Sequence, residues 1–127
     1  MISLNKIMHI DDDIDILAIT EIVLGTLGHF EIAQCASGFD ALKLAPEFKP
    51  DLLLIDSIMP NMDGLETLRK LRKLSGTKHT PVIFLTVRAQ ENEIQELLDA
   101  GAIKVILKPF DPILLSEEIT LAWNASR

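Results

Sequence analysis

Five short apolar runs, separated by segments with helical periodicity, constrain the fold of this chain more than any other feature. They span residues 6–10, 31–36, 52–55, 82–85 and 103–107. Most are rich in Ile, Leu and Val, and turn-forming or charged residues bound them, as expected of parallel strands covered on both faces. The segments between them are amphipathic. "IDILAITEIVLGTLG" repeats apolar residues at Ile16, Ile19, Val23 and Leu27, with Gly28 as the expected C-cap. "SGFDALKLAPEF" predicts a shorter helix ending near Pro46. "DGLETLRKLRKL" sets Leu65, Leu68, Leu71 and Leu74 at helical spacing. "ENEIQELLDAG" opens with acids and has Gly101 past its end. "DPILLSEEITLAW" offers Asp111 as N-cap and Pro112 at the first helical position. Strand and helix alternate five times, which predicts one doubly wound α/β domain with right-handed crossovers.

Composition narrows the function. With 12 basic against 19 acidic residues the net charge is −7, the wrong balance for direct nucleic-acid binding by this domain. No apolar run approaches the ~20 residues of a membrane helix. "MISLNKIMHIDDD" is no secretory signal, because Lys6 interrupts it and acids stop it. The single Cys35 excludes an internal disulfide and suits a reducing cytoplasm.

Ligands of doubly wound sheets bind beyond the carboxyl ends of the strands, at the switch point. The residues standing there are therefore the candidates. Strand one ends in Asp11, Asp12 and Asp13, strand three in Asp56, strand four in Thr86, and strand five in Lys108 before Pro109 and Phe110. A strand order of 2-1-3-4-5 makes strands one and three neighbours and brings their aspartates to one edge. Clustered carboxylates repel, which raises a pKa or recruits a cation. The set has oxygen ligands and no His or Cys, so Mg²⁺ is the natural guest and Mn²⁺ an alternative. Asp11, Asp12 and Asp56 together carry three negative charges, which Mg²⁺ and Lys108 would balance. A carboxylate nucleophile, a divalent cation, a lysine and a hydroxyl are the parts that phosphoryl transfer uses.

The chain resembles, over nearly its whole length, a response-regulator receiver domain of two-component (phosphorelay) signalling. The matching stretches are "HIDDD", "LLLIDSIMPNMDGLE", "PVIFLT" and "GAIKVILKPF". The spacings also fit, at 44 positions from Asp12 to Asp56, 30 from Asp56 to Thr86 and 22 from Thr86 to Lys108. The resemblance implies a flavodoxin-like sheet of order 2-1-3-4-5 with five helices on its two faces. It implies that Asp56 accepts a phosphoryl group from a phosphohistidine on a sensor histidine kinase or a histidine phosphotransfer protein. Asp11, Asp12, Asp56 and the backbone carbonyl of Ile58 would hold Mg²⁺, with Asp12 the more direct ligand and Asp11 acting through water. Thr86 and Lys108 would each meet a phosphoryl oxygen, and the Lys108–Pro109 bond would be cis. The domain would then be a signalling switch and not an enzyme, cytoplasmic, acting on a downstream protein or a fused output domain. It would have no membrane partner, and homodimerisation stays open. Residues 1–127 read as a single receiver domain, with no output domain after "TLAWNASR".

One position departs from the family pattern. Family members often carry an aromatic three residues before the strand-five lysine, and this chain has Val105, which is stiff at χ1 and has no ring to swing. Ile58 and Arg88 flank the expected path of water, and Ile58 is expected to slow hydrolysis of a phosphoaspartate.

The alternative is an aspartyl-phosphate phosphatase of the haloacid dehalogenase type. It would use Asp11 and Asp13, but Asp15 stands where Thr or Val is needed and "IDSIMPNMDG" goes unexplained. A flavodoxin-like cofactor binder wants Ser, Thr and Gly after strand one, where this chain has four aspartates in five residues.

Other positions have plainer readings. Asp13 is expected as a helix N-cap, Asp15 as solvated, and Met59, Pro60 and Gly64 as loop shapers. His9 should pack or hydrogen-bond, His29 and His79 lie in loops, and Cys35 reads as a small buried hydrophobe. Leu121 and Trp123 are expected to pack in the last helix.

Overall fold

The computed structural model describes residues 3–127. Strands β1 (Lys6–Ile10), β2 (Glu31–Cys35), β3 (Leu52–Asp56), β4 (Val82–Thr86) and β5 (Lys104–Leu107) alternate with helices α1 (Ile14–Thr20), α2 (Gly38–Phe48), α3 (Gly64–Leu71), α4 (Glu91–Asp99) and α5 (Pro112–Ala125). All strand pairs are parallel, and the sheet order is β2-β1-β3-β4-β5, as the alternation and the resemblance require.

Residue alternation divides the core into two layers, because successive strand side chains point to opposite faces. Met8, Ile10, Leu53, Ile55, Val82 and Phe84 pack with Ala41, Leu68, Leu71 and Leu97 from α2, α3 and α4. Ile7, Leu52, Leu54, Ile83, Leu85 and Ile106 pack with Leu24, Leu115, Ile119 and Trp123 on the other face. β3 and β4 are buried along their whole length, which is why their sequences are apolar without a break.

The caps follow the sequence. Asp13 accepts the N–H groups of Asp15 and Ile16, Asp111 accepts that of Ile113, and Pro112 takes the first turn of α5. Three expectations are corrected. The first helix leaves α-geometry at Thr20 and continues as a wider π-turn over Glu21–Thr26, with the Leu27 N–H reaching the Ile22 carbonyl. That rotates the buried face onto Thr20 and Leu24, and leaves Ile19 and Leu27 exposed. The residue that turns left-handed after it is His29, at φ 61°, while Gly28 avoids a collision between a side chain and the Leu24 carbonyl. Second, α2 runs two residues past Pro46, to Phe48. It carries the exposed proline internally and closes at Lys49, at φ 55°. Third, Trp123 is buried, but Leu121 lies on the outer face of α5.

Candidate functional site

The strand ends converge as the switch-point argument requires. Asp11 is fully buried just beyond β1. Its Oδ2 accepts from Lys108 Nζ at 2.9 Å, and its Oδ1 from the Asp13 N–H at 2.9 Å. Asp56 closes β3, with Oδ2 at 3.4 Å from Lys108 Nζ and Oδ1 accepting the Ile58 N–H at 3.2 Å. Asp12 is exposed, yet carboxylate oxygens of Asp11, Asp12 and Asp56 all lie within 4.8 Å of one another. The Lys108–Pro109 bond is cis.

Gly64 makes the approach of α3 to this corner feasible. A Cβ there would collide with the Asp56 carbonyl and crowd Ser57 Cα. Its N–H donates to the Ser57 carbonyl at 3.0 Å, which ties the helix start to the end of the strand. Gly64 is thus a loop shaper for a steric reason.

Electrostatics separate the two buried acids. For Asp56, burial and the negative charge of Asp11 outweigh Lys108 and the Ile58 N–H, and the carboxyl is pushed up to about 7. For Asp11, burial works against the charge, but the His9 ring, Lys108 and the Asp13 N–H prevail and hold the carboxyl down at about 2. Burial also opposes the Lys108 charge, and the two acids more than offset it, so the lysine pKa rises. The site thus has more negative charge than its lysine can neutralise. Hard oxygen donors in surplus fit a hard divalent cation better than a thiophilic one.

Thr86 is fully buried at the end of β4. Its Oγ1 accepts from Ser57 Oγ at 2.6 Å and from the Arg88 N–H at 3.0 Å. Ile58 is 41% exposed and, with Arg88, lines a cleft of about 310 Å³ between the loop after β3 and α4. Arg88 pairs with Glu93 of α4 at 3.1 Å, so its charge is turned toward that helix. Val105 sits on β5 against the α2–α4 layer.

Two further residues stand near the acids, and the first, His9, packs as expected. His9 is wholly buried, with Nε2 at 3.8 Å from Asp11 Oδ2, beyond hydrogen-bond length but near enough to act as a polar neighbour. Burial lowers its pKa, which favours the neutral ring. Its position two residues before Asp11 puts it in the same strand phase, a signal that was available. Sequence spacing alone marks no role for Ser57. The register pairs Asp56 with Leu85, so one step further sets Ser57 beside Thr86 on one face.

A five-stranded doubly wound domain of this order, with acids and a lysine at its switch point, falls in the flavodoxin-like class. The chain belongs to the response regulator receiver domain family, whose profile matches residues 7–120. It is thus a receiver domain of two-component signalling. It is 35% identical over 114 residues to the transcriptional regulatory protein AfsQ1 of Streptomyces coelicolor, covering 90% of this chain and 49% of AfsQ1. It is 36% identical to the DNA-binding response regulator MtrA of Mycobacterium tuberculosis, covering 84% of this chain and 45% of MtrA. The chain therefore spans about half the length of the curated relatives it matches. Among solved structures, chemotaxis protein CheY4 of Vibrio cholerae superposes with a TM-score of 0.86 at 30% identity, covering 94% of this chain and 99% of that one. The phosphatase alternative gains no support, since the Asp13 carboxylate it would use caps α1.

Among the described residues, no helix is long and apolar enough to cross a membrane.

Proposed function

We infer that this receiver is a phosphoacceptor, and that Asp56 takes a phosphoryl group from a phosphohistidine. The observation that carries this reading is the placement of Asp56 at the end of a fully buried strand, 3.4 Å from Lys108 and grouped with Asp11 and Asp12. In the reaction an Asp56 carboxylate oxygen attacks phosphorus, the P–N bond breaks, and the released imidazole takes up a proton. Asp56 must be ionised to attack, and Lys108 favours that form. Once the carboxylate has become an acyl phosphate, Lys108 is free to pair with a phosphoryl oxygen, and the Thr86 hydroxyl donates to another. Asp11, Asp12, Asp56 and the Ile58 carbonyl would hold Mg²⁺, or Mn²⁺ in its place. When bound, the cation supplies the charge neutralisation that phosphoryl transfer requires.

The donor would be a sensor histidine kinase or a histidine phosphotransfer protein in the cytoplasm. The output would be altered contact with a downstream protein, a fused output domain or a second copy. Residues 1–127 act in this reading as a single signalling domain, not as an enzyme with a released product. Incubation with a small acyl phosphate and Mg²⁺, followed by intact mass, tests the proposal. Wild type should gain one base-labile phosphoryl group, while Asp56→Asn and metal-free protein should not. Equal labelling of Asp56→Asn would refute the assignment.

A further inference from the structure

We propose that Ser57 is a positioning residue for the phosphoryl group: it orients the Thr86 hydroxyl so that its proton faces the incoming anion. This inference rests on the phosphoacceptor reading of Asp56 and adds a residue to it.

A hydroxyl has two lone pairs and one proton. On Thr86 both lone pairs are engaged. The Arg88 N–H occupies one at 3.0 Å, and the Ser57 hydroxyl occupies the other at 2.6 Å. What Thr86 still has to give is its proton. The side chain is fully buried at the end of β4, so free rotation in water does not blur this direction. A group fixed as a donor suits an anion, and an anion is what phosphorylation of Asp56 would deliver.

The backbone fixes Ser57 as firmly as it fixes Thr86. The parallel register sets Asp56 opposite Leu85, and the Ser57 N–H continues that ladder to the Leu85 carbonyl at 2.9 Å. Ser57 and Thr86 therefore lie side by side on one face, while Asp56 points to the other. Both carry the alternation of Leu53, Ile55, Val82 and Phe84 toward the α2–α4 layer. Gly64 donates to the Ser57 carbonyl at 3.0 Å, so the start of α3 also holds the residue. A substitution can remove the hydroxyl at position 57 without disturbing the ladder.

The opposite polarity has the opposite consequence. If Thr86 donated to Ser57, its proton would be spent and Ser57 would compete with the anion. Removing the serine hydroxyl would then tighten anion binding.

The test titrates the 127-residue protein with fluoroberyllate in saturating Mg²⁺, following the amide signals of Thr86 and Arg88 by NMR. Ser57→Ala should weaken fluoroberyllate binding about fivefold, within the worth of a neutral hydrogen bond. Its Mg²⁺ affinity, measured separately, should stay within about twofold, because the serine touches no carboxylate. Ser57→Thr, which keeps the hydroxyl, should recover most of the loss and also guards against a folding defect in the alanine variant. In a Thr86→Ala background, Ser57→Ala should add nothing. Unchanged or tighter binding by Ser57→Ala would overturn the inference alone, as would an equal loss in the Thr86→Ala background. Failure of wild type to bind fluoroberyllate would overturn the phosphoacceptor reading and this inference with it.

Discussion

The ammonium of Lys108 lies 2.9 Å from Asp11 Oδ2, closer than the 3.4 Å that separates it from Asp56 Oδ2. The lysine thus spends most of its charge on the acid proposed to help hold a cation. Burial and the Asp11 charge push Asp56 up to about 7 against that weaker lysine contact, while the His9 ring, Lys108 and the Asp13 N–H hold Asp11 down at about 2. A cation that took over the charge of Asp11 would release Lys108 toward Asp56.

The first prediction concerns pH and stability without metal. The Asp56 pKa is raised in the fold from 3.8 to about 7. A raised acid favours folding fully below its unfolded pKa, and the benefit is lost as pH rises through the folded value. Asp56→Asn has no such loss. Its melting temperature should therefore exceed that of wild type by several degrees at pH 8, at about 4 °C per kcal/mol, and by less at pH 5. Asp11 titrates below this window and does not confound it. Mg²⁺ should narrow the gap at pH 8. Thermal melts at the two pH values decide it, and a gap that is wider at pH 5 would contradict the assignment.

Removing the lysine should move the chemistry up the pH scale. Lys108→Met leaves Asp56 beside Asp11 with no cationic side chain to offset burial. The midpoint of the pH dependence of Asp56 labelling should rise by about one to three pH units. Labelling at neutral pH should fall at least tenfold. The pH–rate profile of labelling by an acyl phosphate measures both.

Ile58 should set the lifetime of the phosphorylated state. It is 41% exposed, its N–H donates to Asp56 Oδ1, and the Arg88 charge beside it in the cleft is engaged by Glu93. A branched apolar side chain there keeps water away from the line of attack. Ile58→Asn should accelerate dephosphorylation several-fold, on the order of a 1 kcal/mol change in barrier. The decay of the phosphorylated mass after removal of the donor reports the rate; an unchanged or slower decay in the variant would reject the idea.

Two glycines offer a paired control. Gly64→Ala drives a Cβ into the Asp56 carbonyl and should cost about 1–3 kcal/mol in urea unfolding, with weaker Mg²⁺ binding. Gly76 has nothing within 4 Å of such an atom, so Gly76→Ala should be neutral or stabilising by about 0.5 kcal/mol. Equal losses at both sites would show that the collision at Gly64 is relieved at no cost.

The sheet was legible because buried parallel strands leave unbroken apolar runs, and each run here ends in a residue of different chemistry. Asp56, Thr86 and Lys108 could be placed together once the strand order was granted. The first helix was less legible. Its π-turn changes the residue spacing partway, so a single helical period put Ile19 and Leu27 inside when they face out. Pro46 was read as a stop, but it lies two residues before the end of α2 with its ring exposed, where the helix tolerates it. Ser57 was missed for another reason. Its partner lies 29 positions away, and only the β3–β4 register joins them.

The division of the core into two layers extends to the chemistry. Asp11, Asp56 and Lys108 keep the phase of strand residues that face the Glu21–Thr26 π-turn and α5, whereas Ser57 and Thr86 keep the phase that faces α2, α3 and α4. Charge adjustment and hydroxyl adjustment therefore reach one sheet edge from different layers of the core. Substitutions in one layer bear first on the acidity of the pocket, and substitutions in the other on the Ser57–Thr86 pair. The two properties can drift independently, and a single domain can acquire a new timescale without surrendering its aim.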